Sequence, residues 1–213
     1  GPLEADGKPI NVGEWCASPC AADFDGDGDL DLITGRYAWG TPDPEHSLRY
    51  YENIGTRKNP ILTERPFPKE GLFPSLNLSV PRAADLNGNG LLDLVVSCGP
   101  NIYIFENIGT KSAPRFRVTD KPLSSRWNRA DLPGTGAYYG SQFMDWNHDG
   151  KQDVVTNFTV KLNSGKGNPG VYDRTVNVLP AGEMIAHPSG MGDDWFWARQ
   201  YDLDGDGRLD VLF

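Results

Sequence analysis

Aspartates at alternate positions give this sequence its clearest candidate for a chemical site. The stretch DFDGDGDLD, residues 23–31, has an aspartate at every second position. Related stretches follow: DLNGNGLLD from residue 85, DWNHDGKQD from residue 145 and DLDGDGRLD from residue 202. Oxygens at positions 1, 3, 5 and 9 of such a stretch, with the backbone carbonyl of position 7, can surround a hard cation that takes about six to eight oxygen ligands. Glycine at position 6 permits the sharp turn that this wrapping needs. The four stretches are therefore predicted metal-binding loops.

Calcium is the cation that these loops favour. No histidine or cysteine is placed to make a zinc site, and a flexible all-oxygen loop favours Ca²⁺ over Mg²⁺. Up to four structural Ca²⁺ ions are expected, and loop 2 is expected to be the weakest site because Asn87 and Asn89 are neutral. The predicted ligands are Asp23, Asp25, Asp27, Asp29 and Asp31 in loop 1 (23–31), Asp85, Asn87, Asn89, Leu91 and Asp93 in loop 2 (85–93), Asp145, Asn147, Asp149, Lys151 and Asp153 in loop 3 (145–153), and Asp202, Asp204, Asp206, Arg208 and Asp210 in loop 4 (202–210).

An EF-hand is excluded by the residues that follow each loop. An EF-hand needs a glutamate at position 12 and helices on both sides. The runs after the loops are short and rich in β-branched residues, such as LDLITG and LDLVVS, which favour strands. The four residues at position 12 are Thr34, Val96, Thr156 and Phe213.

The overall charge limits the partners. A net charge of −9 argues against nucleic acid or an anionic membrane surface as a partner. Four bound Ca²⁺ ions would add eight positive charges and bring the net charge from −9 to about −1, so no basic partner is needed. No apolar stretch is long enough to span a membrane, which takes about 18 residues or more.

The elements that must position these loops recur with them. The loops begin at residues 23, 85, 145 and 202, at spacings of 62, 60 and 57 residues. A second motif lies between them, as YYENIGTRKNP (50–60), YIFENIGTKSAP (103–114) and, more faintly, VKLNSGKGNP (160–169). Each unit of about 60 residues contains four short strand patterns and no helical periodicity. The sequence therefore predicts an all-β fold, a β-propeller of four-stranded antiparallel blades.

The motifs resemble a known repeat family. YYGSQFMDWNHDGKQDVVTN (138–157) and LVVSCGP (94–100) resemble the FG-GAP or VCBS repeat of integrin-α-type β-propellers, and the resemblance extends over nearly the whole chain. It implies one propeller region over residues 1–213 with structural calcium, in a protein that is secreted, periplasmic or on the cell surface. About three and a half blades are expected, as part of a larger, seven-bladed ring or paired with another chain. Residues 1–12 are expected to supply one closing strand.

A ligand-binding face is expected opposite the calcium loops. If these loops join strands A and B of each blade, the B–C and blade-to-blade connections lie at the other end. Several of these connections are long and rich in aromatic residues, which suits stacking on sugar rings with polar groups nearby. A carbohydrate or protein ligand is therefore predicted there. The candidate ligand-binding residues are Tyr37, Trp39, His46, Trp127, Arg129 and Trp195.

Two other functions stay open. The chain could be the propeller part of a polysaccharide lyase or glycoside hydrolase, with His46, His187, Tyr138 and Arg129 as candidate catalytic residues. No spacing ties these residues to one another, so a non-catalytic module is favoured. A purely architectural repeat of a large surface protein is the third hypothesis.

The cysteine spacing leads to one further prediction. Cys16 and Cys20 are four residues apart, and Cys98 is the third cysteine. A metal site at Cys16 and Cys20 would need two more ligands, so a local disulfide is favoured over a metal site, with buried thiols as the alternative.

Overall fold

The fold consists of short strands joined by loops. The computed structural model describes residues 2–12, 15–37, 47–72, 74, 76, 79–98, 101–119, 123, 142–155, 159–166, 172–177, 199–201 and 210–212. Its strands are β1 (Glu4–Ala5), β2 (Lys8–Pro9), β3 (Trp15–Ala22), β4 (Asp31–Tyr37), β5 (Leu48–Asn53), β6 (Leu62–Arg65), β7 (Lys69–Glu70), β8 (Val80–Ala84), β9 (Asp93–Cys98), β10 (Asn101–Asn107), β11 (Phe116–Val118), β12 (Gln142–Met144), β13 (Asp153–Val155), β14 (Thr159–Leu162), β15 (Arg174–Asn177), β16 (Arg199–Tyr201) and β17 (Asp210–Leu212).

These strands form repeated antiparallel units, which confirms the predicted fold class. Strands β3 to β6 make blade 1, β8 to β11 make blade 2 and β12 to β15 make blade 3, each pairing in chain order as strands A, B, C and D. Strands β16 and β17 pair as strands A and B of a fourth unit. The chain is all-β in its described parts and forms a partial β-propeller. Within those residues, no helix has the length and hydrophobicity to cross a lipid bilayer.

Each acidic loop joins strand A to strand B in the same register. In every unit the ninth loop residue begins strand B and lies opposite the last residue of strand A. Because a shift by one residue would turn every side chain to the other face, this equal register gives all four loops the same position on their blades. The four pairs are Ala22 with Asp31, Ala84 with Asp93, Met144 with Asp153, and Tyr201 with Asp210.

Apolar side chains from neighbouring blades form the core. Strand B of blade 2 is buried on both faces: Leu94 packs towards blade 1 and Val95 towards blade 3. This explains why the centre of its sequence, LVV, has consecutive apolar residues rather than alternating ones. Aromatic rings close the junction of blades 1 and 2, where Phe24 meets both Tyr50 and Phe116 edge to face at 6.5 and 6.1 Å between ring centroids. Position 2 of loop 1 is thus a core residue, which anchors the loop.

Two blades carry extra strands on their outer edges, which the sequence pattern did not predict. Residues 4–9 form a hairpin, and β1 pairs in parallel with strand D of blade 1. In the same way, β7, which lies between blades 1 and 2, pairs in parallel with strand D of blade 2. The expectation that residues 1–12 supply one closing strand was therefore wrong: the segment forms two short strands on blade 1 itself. Its turn, Asp6-Gly7, has positive φ angles of 52° and 72°, as a two-residue hairpin requires.

The predicted Cys16–Cys20 disulfide was also wrong. Cys20 is a free, buried thiol on β3, and Cys98 is free as well. Four residues of extended strand separate Cα atoms by roughly 13 Å, whereas a disulfide requires less than about 7 Å. Burial raises the pKa of the Cys20 thiol, which keeps it in its neutral form within the junction between blades 1 and 2.

Candidate metal centre

Loops 1, 2 and 3 share one set of internal hydrogen bonds. The carboxylate at position 1 accepts the backbone N–H of the position 6 glycine, at 3.2, 2.9 and 2.8 Å in the three loops. The side chain at position 3 accepts the N–H of position 5, and the side chain at position 5 accepts that of position 7. Each of these glycines has a positive φ, between 83° and 100°. These bonds bend the loop so that the side chains at positions 1, 3 and 5 are drawn to its inner side.

In loops 1, 2 and 3 the aspartate at position 9 joins the loop to strand C of its own blade. In blade 2, Asp93 Oδ2 accepts the N–H of Leu86 at 3.2 Å, and its Oδ1 accepts the N–H of Asn107 at 2.8 Å. The same two bonds recur in the other blades, where the aspartates are Asp31 and Asp153. In blade 1 the Tyr50 hydroxyl also donates to Asp31, at 3.2 Å. Position 9 therefore has a structural role in addition to any role as a ligand.

The asparagine that meets this aspartate organises the C–D turn. Asn107 Oδ1 accepts the N–H groups of Gly109 and Arg115, both at 3.1 Å, and its Nδ2 donates to the Leu92 carbonyl at 3.2 Å. Asn53 accepts the corresponding two bonds in blade 1. We call this arrangement the aspartate–asparagine link. It places the A–B loop and the C–D turn of a blade together at one end, as predicted.

Burial of the position 9 carboxylates affects their ionisation. Asp31 and Asp93 are 2% and 1% exposed, and burial raises the pKa of each to about 6, opposed by the hydrogen bonds that they accept. Burial raises the pKa of Asp153 in the same way. A nearby cation would lower these pKa values and favour the ionised carboxylates.

Loop 1 has the arrangement that best fits a cation. One oxygen from each of Asp23, Asp25 and Asp27 lies within 4.8 Å of the other two, the only such group of three acidic side chains in the described parts of the chain. Asp23 Oδ1 and Asp29 Oδ1 are buried and accept no hydrogen bond. A buried carboxylate oxygen without a partner is costly, and a bound cation would satisfy it. The residues of loop 1 therefore fit a hard, oxygen-preferring ion.

In loops 2 and 3 the first aspartate is engaged with backbone instead. Asp85 Oδ1 accepts the N–H groups of Gly88 and Asn89 at 2.8 and 3.1 Å, while its Oδ2 bonds to Gly90. Asp145 likewise uses both oxygens, for the N–H groups of Asp149 and Gly150. A cation at either loop would have to share these oxygens with amide groups. The loops therefore share the same backbone hydrogen bonds but differ in the number of carboxylate oxygens that are left to bind a cation.

Several predicted site residues lie outside the described residues. Of loop 4, only Asp210 is described, as the first residue of β17, and Tyr37 is described only as the last residue of β4. The remaining candidates lie outside: Trp39, His46, Trp127, Arg129, Tyr138, His187, Trp195, Asp202, Asp204, Asp206 and Arg208.

The sequence prediction missed the asparagines of the link. Asn53, Asn107 and Asn163 are 2–3% exposed and are the second residue of ENIG or its counterpart. The signal was present, because this motif recurs with the acidic loops. The motif was used only as a marker of the repeat. Nothing in the local sequence shows that the backbone N–H of its asparagine donates to the carboxylate at the start of strand B.

Tandem four-stranded sheets, each with an acidic A–B loop bonded to its C–D turn, define a propeller repeat protein. Residues 17–47 match the family described as FG-GAP repeat, and residues 85–156 match the family described as FG-GAP-like repeat. The chain therefore carries FG-GAP repeats in these two segments, which confirms the resemblance seen in the sequence. No match was found among curated proteins or among solved structures.

Proposed function

We propose that this chain is a calcium-stabilised β-propeller segment and that loop 1 is its principal ion site. The observation that carries the proposal is the cluster of Asp23, Asp25 and Asp27, whose oxygens converge within 4.8 Å, beside the unpaired buried Oδ1 atoms of Asp23 and Asp29. Bound calcium would neutralise the negative charge of the carboxylates and take their oxygens as ligands. The chain's own part is to hold the carboxylates together before the ion arrives.

The role of the ion is to stabilise the fold. At about 1 mM calcium and a dissociation constant of about 10 µM, an ion that binds only the folded state adds roughly 2.7 kcal/mol. For a chain of this length each kcal/mol raises the melting temperature by about 2–4 °C. Saturating one site should therefore raise it by about 5–11 °C relative to EDTA.

Differential scanning calorimetry with 1 mM calcium or EDTA tests this proposal. The double variant Asp25→Asn, Asp27→Asn should lose most of the calcium-dependent rise, because it removes two of the three converging carboxylates. Asp173→Asn is the matched control, since Asp173 is exposed and outside the loops. An equal melting temperature with and without calcium in the unmodified protein would refute the proposal.

We further propose that a ligand, a carbohydrate or a protein, binds at the end of the blades opposite the loops. The equal register of the loops supports this, because it leaves the B–C connections together at the other end. The aromatic residues of the B–C and blade-to-blade connections, including Trp39 and Trp127, suit stacking on sugar rings. Glycan-array binding that is lost with Trp39→Ala or Trp127→Ala would support a carbohydrate ligand, and unchanged binding would contradict that site.

The enzymatic alternative predicts a different result. A polysaccharide lyase would release unsaturated products from uronic-acid polymers, and His46→Ala or His187→Ala would abolish the release. An architectural repeat would show neither glycan binding nor product release. A surface or secreted location is part of the same proposal and is supported by the FG-GAP matches.

A further inference from the structure

Loop 3 differs from loop 1 in holding a positively charged side chain. Lys151, at position 7, places its Nζ 3.1 Å from Asp149 Oδ2, at position 5. The same oxygen also accepts a hydrogen bond from Asn147 Nδ2 at 3.2 Å, and Asp149 Oδ1 accepts the Lys151 N–H at 3.0 Å. Asp27, the position 5 residue of loop 1, accepts a single hydrogen bond, from the Asp29 N–H at 3.0 Å. The position 5 carboxylate, which belongs to the converging cluster in loop 1, is thus bonded to an ammonium group in loop 3.

The C–D turn of blade 3 holds this ammonium in place. A Cβ added to Gly165 would lie 2.4 Å from Lys151 Cε and 3.6 Å from its Nζ, so the lysine side chain lies against the glycine. Gly165 itself is fixed by the N–H that it donates to Asn163 at 2.9 Å. The position of Lys151 is therefore set by the turn as well as by the attraction of Asp149.

We propose that Lys151 is the built-in cation of loop 3 and makes that loop a weak calcium site. This inference rests on the proposed calcium function of loop 1 and concerns which of the repeated loops take the ion. Loop 3 has three aspartates and Lys151, a net charge of −2, whereas loop 1 has five aspartates and a net charge of −5. A unit charge held about 5 Å from a divalent ion in water changes the dissociation constant by roughly tenfold.

Lys151→Met tests the inference, because methionine keeps the apolar stem against Gly165 and removes the charge. In calcium titrations by isothermal calorimetry, the dissociation constant of the weak site assigned to loop 3 should fall by about tenfold. Lys151→Asp, which gives loop 3 the residue that loop 1 has at position 7, should tighten it further. Lys166→Met is the matched control: Lys166 is an exposed lysine on the same turn, and its removal should leave binding unchanged.

A second variant assigns the change to loop 3. The gain seen with Lys151→Met should disappear when Asp145→Asn is added, because position 1 of the same loop is then neutral. Unchanged calcium binding by Lys151→Met, in a protein whose loop 1 binds calcium, would overturn the inference and leave the proposed function intact. If the unmodified protein binds no calcium, the proposed function itself fails. Melting temperatures in EDTA establish that each variant is folded.

Discussion

Replacement of Asn107 by alanine should destabilise the protein strongly without any change in a charged residue. The Asn107 side chain is 3% exposed and makes three hydrogen bonds, with the N–H groups of Gly109 and Arg115 and the carbonyl of Leu92. A buried hydrogen bond contributes about 1 kcal/mol net, with a range of about 0.5–1.5. Asn107→Ala should therefore lower the free energy of unfolding by about 3 kcal/mol, and the melting temperature by roughly 6–12 °C.

Urea unfolding followed by tryptophan fluorescence, with EDTA present, measures this cost independently of calcium. Asn87→Ala is the matched control, because Asn87 in loop 2 is only partly buried and accepts one hydrogen bond, from the Asn89 N–H at 3.0 Å. We expect the control to cost less than about 1 kcal/mol. Equal, small losses in both variants would show that the aspartate–asparagine link does not hold the C–D turn, and the reasoning about that link would then be wrong.

Two further predictions concern loops 1 and 2 and the residues around them. Tyr50→Phe removes the hydroxyl that donates to Asp31 at 3.2 Å and should cost about 1–2 kcal/mol in thermal unfolding; a loss below about 0.5 kcal/mol would contradict this bond. Gly26→Ala and Gly88→Ala each force a residue with a Cβ into a positive φ, 71° and 73°, and should each cost about 1–2 kcal/mol. Gly26→Ala should cost slightly more, since its Cβ would lie 2.4 Å from Lys111 Cγ, and adding Lys111→Ala should remove only that excess.

The sequence was sufficient to predict what is determined locally. The β-branched runs and the spacing of loop residues predicted strands A and B, because the side-chain pattern and the turn glycines act within a few residues. The equal register of the loops followed from the repeat. Local signals also explain the hairpin at Asp6-Gly7, although strands of two residues were too short to stand out.

What depends on distant contacts could not be predicted in this way. The bond from the Asn107 N–H to Asp93 spans 14 residues, and nothing near either residue specifies it. The differences among the loops also arise from their surroundings, because Lys151 is held by Gly165 on another turn. The loop pattern predicted Lys151 as a backbone-carbonyl ligand at position 7 and gave no role to its side chain. The Cys16–Cys20 pairing was wrong because residue spacing was considered without the extended strand that separates them.

The short hairpin on blade 1 makes the outer edge of this sheet unfavourable for pairing with a further strand. In the described parts of the chain, the six-stranded sheet of blade 1 ends at β2, whose two residues are Lys8 and Pro9. Proline has no N–H to donate, and a charged lysine at a sheet edge opposes the approach of a second strand. A neighbouring molecule therefore finds almost no backbone ladder to extend at this edge. The propeller can be concentrated with little tendency to aggregate through it.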